Sequence, residues 1–194
     1  MKNIAIFASG SGTNAENIIR YFSNSQFIKV KIIFSNKPDA FVLQRAKTHN
    51  IDFFIFNKTQ FYETDMVDKE LYDRQIDNII LAGFLWLMPD RLISKFRNRI
   101  INIHPALLPK YGGKGMFGIK VHQSVIQNNE KVSGITIHDV DEHYDEGKII
   151  FRATCNIETG ETPESLANKI HSLEYEHFPQ IIEKWVLGNL NSLS

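Results

Sequence analysis

The sequence predicts one doubly wound α/β domain, with a mostly parallel sheet, helices on both of its faces and an antiparallel C-terminal sheet edge. Three observations carry this prediction. The chain has 194 residues, which is the size of a single domain. Short apolar runs alternate with helix-length segments up to residue 104. Two further β-rich runs then follow one another without room for a helix between them.

The first five runs have the composition of strands buried on both faces of a parallel sheet. They are rich in β-branched residues and nearly continuous in apolar character, whereas a half-exposed strand alternates. In chain order they are 3–8, 30–35, 52–56, 78–84 and 100–104. The segments between them give strand–helix–strand units with right-handed crossovers.

The first connecting helix carries the clearest signals. One apolar stripe recurs at helical spacing and comprises Ala15, Ile18, Ile19 and Phe22. Thr13 followed by Glu16 matches a capping box, in which each side chain accepts a backbone N–H of the other residue. We therefore expect Thr13 to cap this helix.

The pattern changes in the last third of the chain. The runs 134–138 and 148–157 are joined by a short acidic loop, so we expect them to pair antiparallel. A long helix follows, with Thr162 as its cap, Pro163 at its first position and Gly188 at its end. Its core stripe comprises Leu166, Ile170, Leu173, Ile181 and Trp185.

Composition restricts the classes of partner. The 22 basic and 22 acidic residues balance, which removes the usual electrostatic case for binding nucleic acid or a membrane surface. No apolar stretch reaches the roughly 20 residues that span a bilayer. A single cysteine, Cys155, excludes an intrachain disulfide and fits a reducing compartment. We therefore expect a cytoplasmic protein with small-molecule partners.

A glycine-rich loop, SGSGTNA at 9–15, joins the first strand to the first helix. Glycines allow close approach of a ligand, and a helix N-terminus offers free N–H donors, so the loop suits a phosphate. The string also fits the dinucleotide fingerprint, which requires an acid at the end of the second strand. That strand ends in FSNK at 34–37, which favours a single phosphate on a smaller ligand. A plain strand-to-helix turn is the alternative.

The fifth strand ends with two polar side chains that can stabilise an oxyanion. Asn102 and His104 are two residues apart, so both point to the same side of an extended strand. An amide donates a hydrogen bond, and an imidazole donates one or transfers a proton. The alternative is that the two residues only close turns.

The acidic loop between the last two strands allows three interpretations. It contains His138, Asp139, Asp141, Glu142, His143, Asp145 and Glu146. A solvated turn is the simplest, and a metal site lacks any standard ligand spacing, so we expect no metal. In the third, one carboxylate orients or charges His104. Spacing does not select which carboxylate does so.

These motifs resemble those of the glycinamide ribonucleotide formyltransferases over nearly the whole chain. The matching segments are SGSGTN (9–14), LAGFLWLM (81–88), NIHPALLPKY (102–111), GITIH (134–138) and HYDEG (143–147). NIHPALLP is shared with the wider 10-formyltetrahydrofolate transferase superfamily, whereas SGSGTN narrows the resemblance to the purine branch and the formyltetrahydrofolate hydrolases. The resemblance implies the formyltransferase fold and formyl transfer from 10-formyltetrahydrofolate to the amine of phosphoribosylglycinamide, without a metal.

The resemblance also implies residue roles. Asn102 contacts the formyl group and the oxyanion, His104 donates a proton, and Asp145 raises the pKa of His104 and places a water. His138 is similar to a second site histidine. The implied substrate-binding residues are, for the phosphate, Gly12, Thr13 and Asn14, and for the ribose, Glu174.

The implied folate-binding stretch acts through its backbone and comprises Leu85, Trp86, Leu87 and Met88, together with Asn102. Many relatives have arginine in place of Trp86, and we expect folate binding to survive that change. A family arginine that contacts the folate falls near Thr64, so that role is not carried over. The glycine-rich stretch 112–118 is unlike common relatives and is predicted to be a mobile loop over the site.

We expect a single domain over 1–194, with a phosphate-binding half at about 1–100 and a catalytic and folate half at about 101–190. Two other functions stay open. Formyltetrahydrofolate hydrolases carry an extra N-terminal domain, whereas strand one here begins at residue 3. A non-enzymatic nucleotide-binding module would leave the Asn-His-Asp set without a joint role. The chain is expected to be a monomer or a homodimer.

Overall fold

A seven-stranded mixed sheet forms the centre of the computed structural model, which describes residues 1–190; residues 191–194 of the predicted domain lie outside the described residues. The strands are β1 (Lys2–Phe7), β2 (Ile28–Ser35), β3 (Asp52–Ile55), β4 (Asn78–Leu81), β5 (Ile100–His104), β6 (Val132–Asp139) and β7 (Ile149–Asn156). Their order in the sheet is β3-β2-β1-β4-β5-β6-β7. Strands β1 to β5 are parallel to one another, and β6 pairs antiparallel with both of its neighbours, β5 and β7. This arrangement confirms the predicted fold class.

The helices are α1 (Thr13–Phe22), α2 (Val42–Thr48), α3 (Lys58–Tyr62), α4 (Met66–Asp73), α5 (Asp90–Lys95), α6 (Ile119–Gln127) and α7 (Pro163–Val186). Helices α1, α2, α6 and α7 pack on one face of the sheet, and α3, α4 and α5 on the other. None of the helices within residues 1–190 is long and apolar enough to cross a membrane.

The sheet is buried on both faces, as the continuous apolar runs predict. Along β1, Ile4 and Ile6 pack under α1 and α7, while Ala5 and Phe7 face the opposite layer. The second layer is rich in aromatic rings, and Phe7 stacks on Phe34 with ring centroids 4.6 Å apart. Such pairs bury large apolar area in a fixed geometry, which holds the central strands in place.

The predicted capping box of α1 is wrong. Thr13 is the first helical residue, the N-cap is Gly12 with φ 71°, and no side chain caps the helix. Glu16 turns away from the loop and accepts hydrogen bonds from Arg20, Arg45 and His49. The consequence is a helix N-terminus whose donors are left available to a ligand.

The predictions for α7 are confirmed at both ends. The hydroxyl of Thr162 accepts the N–H of Ser165 at 3.1 Å, and Pro163 opens the helix. At the other end Gly188 adopts φ 76° and its N–H reaches the carbonyl of Trp185 at 3.2 Å. This left-handed glycine ends the helix in a Schellman-type turn.

Gly134 on β6 generates a stability prediction. A methyl group there would lie 2.0 Å from the carbonyl oxygen of Ala153 on β7, a backbone atom that cannot rotate away. We expect Gly134→Ala to lower the free energy of unfolding by about 2–3 kcal/mol, since the strands must separate locally. Urea denaturation measures the change.

Gly10→Ala is the matched control, because a methyl group there meets nothing within 4 Å. Its unfolding free energy should change by less than about 1 kcal/mol. Equal stability of the Gly134 and Gly10 variants would contradict close packing of β6 against β7.

Candidate active site

A cavity of about 510 Å³ lies where β1, β4 and β5 end, with one wall formed by α7. Ligands bind beyond the carboxyl ends of strands in open α/β sheets, so this position is typical of a functional site. The predicted strand 78–84 stops at Leu81, and the residues that follow it turn out of the sheet to line the cavity. The glycine loop and the Asn-His strand end line the same space.

Gly12 gives the glycine loop its shape. With φ 71° it occupies the left-handed region, and a Cβ would lie 2.5 Å from Cβ and 2.8 Å from Cα of Val42. Within residues 1–190, no acceptor bonds the backbone N–H of Gly12, Thr13 or Asn14. These donors face the cavity at the positive end of α1, an arrangement that suits an anion.

Asn102 and His104 both line the cavity, and both side chains reach Asp145, as expected if they share one side of β5. The antiparallel neighbour β6 places His138 directly opposite Asn102. The His138 Nδ1–H donates to the carbonyl of Asp139 at 2.8 Å, and its Nε2 accepts from the Asn102 amide at 3.1 Å. This hydrogen bond from Asn102 to His138 fixes the orientation of the Asn102 side chain.

The ring of His104 is buried, with 3% of its surface exposed. Its Nε2–H donates to the backbone carbonyl of Tyr111 at 2.7 Å, and its Nδ1 faces Asp145 Oδ2 at 3.5 Å. Because a carbonyl oxygen can only accept, Nε2 carries a proton. The nitrogen that gains or loses a proton is then Nδ1, beside the carboxylate.

Asp145 is the carboxylate of the acidic loop that reaches His104. The backbone N–H of Gly113 donates to its Oδ2 at 2.9 Å, and the Asn102 amide lies 3.4 Å from its Oδ1. Asp141, by contrast, lies beside the exposed ring of His143. The geometry thus identifies Asp145 as the carboxylate beside His104, a choice that sequence spacing left open. Asp145 is also the residue that the resemblance implied.

Burial dominates the electrostatics of the pair. Burial lowers the pKa of His104 below its ordinary value of 6.5, and the negative charge of Asp145 raises this pKa only in part. Burial alone would raise the pKa of Asp145, but His138, His104 and the Gly113 N–H together hold it below 3.8. Asp145 acts in the direction that the resemblance implies, yet His104 is neutral near pH 7 in the free protein.

Glu174 on α7 forms the wall nearest the glycine loop. Its carboxylate is 4% exposed and accepts hydrogen bonds from the Asn14 amide at 2.8 Å and from His171 Nδ1 at 3.0 Å. The bond to Glu174 raises the pKa of His171, although burial opposes it. Two residues predicted to bind substrate, Asn14 and Glu174, are thus in direct contact.

Comparisons with known proteins agree with this geometry. The sequence profile of the formyl transferase family matches residues 2–182. The chain belongs to the formyl transferase family. It is 35% identical to the phosphoribosylglycinamide formyltransferase of Bacillus subtilis over 195 residues, which cover 97% of this chain and 96% of that protein.

Three further formyl transferase relatives extend the comparison. A crystal structure of the Bacillus halodurans phosphoribosylglycinamide formyltransferase superposes with a TM-score of 0.84 at 38% identity, over 94% of each chain. The chloroplastic Arabidopsis thaliana protein of that name is 36% identical over 187 residues and 93% of this chain. The chain spans only 64% of that protein and 60% of its Vigna unguiculata counterpart.

The folate-binding stretch implied by the family resemblance is only partly at the cavity. Leu85 lines it, and its N–H donates to the Ser9 hydroxyl at 3.1 Å. The carbonyl of Leu87 accepts the Tyr62 hydroxyl at 3.0 Å, and Met88 is buried in the core. The ring of Trp86, next to Leu85 in the chain, packs against three other aromatic rings. The Trp86 side chain therefore does not block the cavity.

Besides Trp86, the sequence departs from the family pattern at Thr64 and in the loop 112–118. The hydroxyl of Thr64 donates to the carbonyl of Gln60 at 3.1 Å and supplies no charge. The loop 112–118 lines the cavity, as predicted, and its Gly113 holds Asp145; its mobility stays a prediction. Within residues 1–190, no three His, Cys, Asp or Glu side chains are arranged to hold a metal ion.

Sequence reasoning missed the roles of four site residues, two of which lie in the predicted motif 102–111 and loop 112–118. Tyr111 and Gly113 act through backbone groups, which leave no trace in residue type. His171 lies one helical turn before Glu174, a spacing that pairs side chains on a helix. His122 could have been found, because it is a polar residue on the buried side of α6.

The site makes a prediction about titration. An NMR pH titration of the imidazole protons should place the pKa of His104 below its ordinary value of 6.5. Since the carboxylate of Asp145 favours the protonated ring, Asp145→Asn should lower this pKa further. The control is Asp141→Asn, which should leave the His104 titration unchanged. A rise in the pKa of His104 in the Asp145 variant would contradict the assignment.

Proposed function

We propose that this protein transfers the formyl group of 10-formyltetrahydrofolate to the primary amine of N1-(5-phosphoribosyl)glycinamide, a step of purine nucleotide synthesis. One observation carries the proposal. A single cavity of a formyl transferase family member is lined both by the free donors of Gly12 to Asn14 and by the set Asn102, His104 and Asp145. The relatives named above support the choice of substrate.

The phosphoribosyl substrate binds with its phosphate on the N–H groups of Thr13 and its neighbours. These donors and the dipole of α1 supply positive potential, so no basic surface is needed. Glu174, buried on the adjoining wall, accepts hydrogen bonds from ribose hydroxyls. This placement directs the glycinamide amine towards the end of β5 and the residues Asn102 and His104.

Asn102 and His104 act on the formyl group. As the amine forms its bond to the formyl carbon, the carbonyl electron pair moves to oxygen. The Asn102 N–H that is not bonded to His138 leaves its long contact with Asp145 and donates to the growing charge. Each well-placed donor of this kind lowers the barrier by about 3 kcal/mol. The bond to the folate nitrogen then breaks, and that nitrogen requires the proton that the amine releases.

His104 and Asp145 move that proton. The ring gains it at Nδ1, which faces the carboxylate at 3.5 Å, while Nε2 stays bonded to Tyr111. Asp145 remains ionised because its pKa lies below 3.8, and it stabilises the charged ring during transfer. A water on Asp145 completes the relay between the two nitrogens. Proximity of the two substrates contributes further rate enhancement.

The folate lies along the cavity wall at Phe84 and Leu85, where the stretch 85–88 begins. The support for this placement is the family resemblance and the position of Leu85 at the cavity beside Phe84. Backbone groups near Leu85, rather than the side chains of Leu87 and Met88, are the available contacts. A cytoplasmic location and a monomeric or dimeric state remain predictions from the sequence.

The test of this function is an assay of 10-formyltetrahydrofolate consumption. We expect the purified protein to consume it only when phosphoribosylglycinamide is present, with one formylated amine formed per folate consumed. Equal consumption without the amine would indicate a hydrolase. No consumption in either condition would indicate a non-enzymatic binding module.

Two substitutions test the catalytic assignment. His104→Ala and Asp145→Asn should each lower kcat by about 10²–10⁴-fold, since each removes part of the proton relay. Circular dichroism and thermal unfolding should show that both variants fold. Asp141→Asn, in the same acidic loop, is the control and should retain kcat. Near-normal turnover of either variant would remove that residue from the mechanism.

A further inference from the structure

His122 on α6 is a buried polar residue that the reaction described above does not use. It is 3% exposed, and its Nδ1 has no hydrogen-bond partner among residues 1–190. A buried polar atom without a partner costs folding free energy. Its helix neighbours Val121 and Val125 are fully buried and apolar, so an apolar residue would satisfy the packing alone. A hydrogen bond from a ligand would explain why a histidine occupies this buried position.

His122 lies on the wall of the cavity that forms the proposed site. The residue lines the cavity, and α6 packs against α7. Burial lowers the pKa of His122; the charge of Glu174 raises it, and those of His171 and His104 lower it. His122, Glu174 and His104 line one cavity.

Asn14, which lines the same cavity, carries a second buried atom without a partner among the described residues. Asn14 donates its amide N–H to Glu174 at 2.8 Å, but its Oδ1 is buried without a partner among the described residues. The amide oxygen and the carboxylate are acceptors, and a neutral imidazole has one donor and one acceptor nitrogen. A phosphate oxygen, itself an acceptor, cannot satisfy Asn14 and Glu174. The two neighbouring hydroxyls of a ribose supply two donors, so one can donate to Asn14 Oδ1 and the other to Glu174. The oxygen or hydrogen of either hydroxyl can also bond to a ring nitrogen of His122.

We propose that His122 binds a ribose hydroxyl of the phosphoribosyl substrate and, with Asn14 and Glu174, forms a pocket that recognises the sugar. The proposal rests on the proposed function for the identity of the substrate. It assigns to His122 a role in binding rather than in proton transfer. Loss of the imidazole should therefore raise the KM for phosphoribosylglycinamide while the KM for the folate stays unchanged.

The experiment is calorimetric titration of the protein with ribose 5-phosphate and, separately, with inorganic phosphate. His122→Leu should bind ribose 5-phosphate about tenfold more weakly, the loss expected for one hydrogen bond. Its affinity for inorganic phosphate should equal that of the wild type. Leucine fits an apolar helix face, and circular dichroism checks the fold. His122→Gln, which keeps a polar group, should recover part of the affinity.

The matched control is His143→Leu, since the His143 side chain is 68% exposed and lies in the acidic loop. It should bind both ligands as the wild type does. Unchanged ribose 5-phosphate affinity in His122→Leu, an equal loss for inorganic phosphate, or no wild-type binding of ribose 5-phosphate would each overturn the proposal. Selective loss together with absent formyl transfer by the wild type would overturn the proposed function and leave the sugar contact standing.

Discussion

The bond from the His104 ring to the carbonyl of Tyr111 is the constraint on which the site depends. It fixes which nitrogen carries the resting proton and turns the other towards Asp145. Tyr111 itself adopts φ 59°, and its hydroxyl donates to Glu130 at 2.8 Å. Lys110 donates to the same carboxylate oxygen at 2.8 Å. The contacts of Lys110 and Tyr111 with Glu130 hold the Tyr111 carbonyl, and this carbonyl orients the buried ring of His104.

The segment 111–113 also binds the carboxylate of Asp145. Two residues after Tyr111, Gly113 donates its N–H to Asp145, while a Cβ at Gly112 would lie 2.5 Å from Leu108 Cδ2 and 3.2 Å from Asp145 Cβ. Glycine at 112 therefore permits the close approach of the loop to the carboxylate. The segment 111–113 thus binds both His104 and Asp145, the two residues of the proton relay. Strand β6 orients Asn102 through His138.

The layers of this fold could be predicted from the sequence because buried positions are occupied by apolar residues. Continuous apolar runs identified the strands, and Asn102 and His104 followed from the two-residue period of a strand. The capping box failed because Glu16 has stronger partners in Arg45 and His49, which are distant in sequence. Asp145 could be chosen only by family resemblance, since reach across a loop is a property of the folded chain. The net pKa of His104 escaped prediction because burial there outweighs a charge 3.5 Å away.

The aromatic layer has a practical consequence. Trp86 lies among Phe56, Phe61 and Tyr62 next to the cavity wall at Leu85, whereas Trp185 packs with the layer on the other face of the sheet. These are the two tryptophans of the chain. The protein thus contains an intrinsic fluorophore beside its site and a second on the far side of the sheet as an internal reference. Quenching at Trp86 would report occupancy of that wall without any added label.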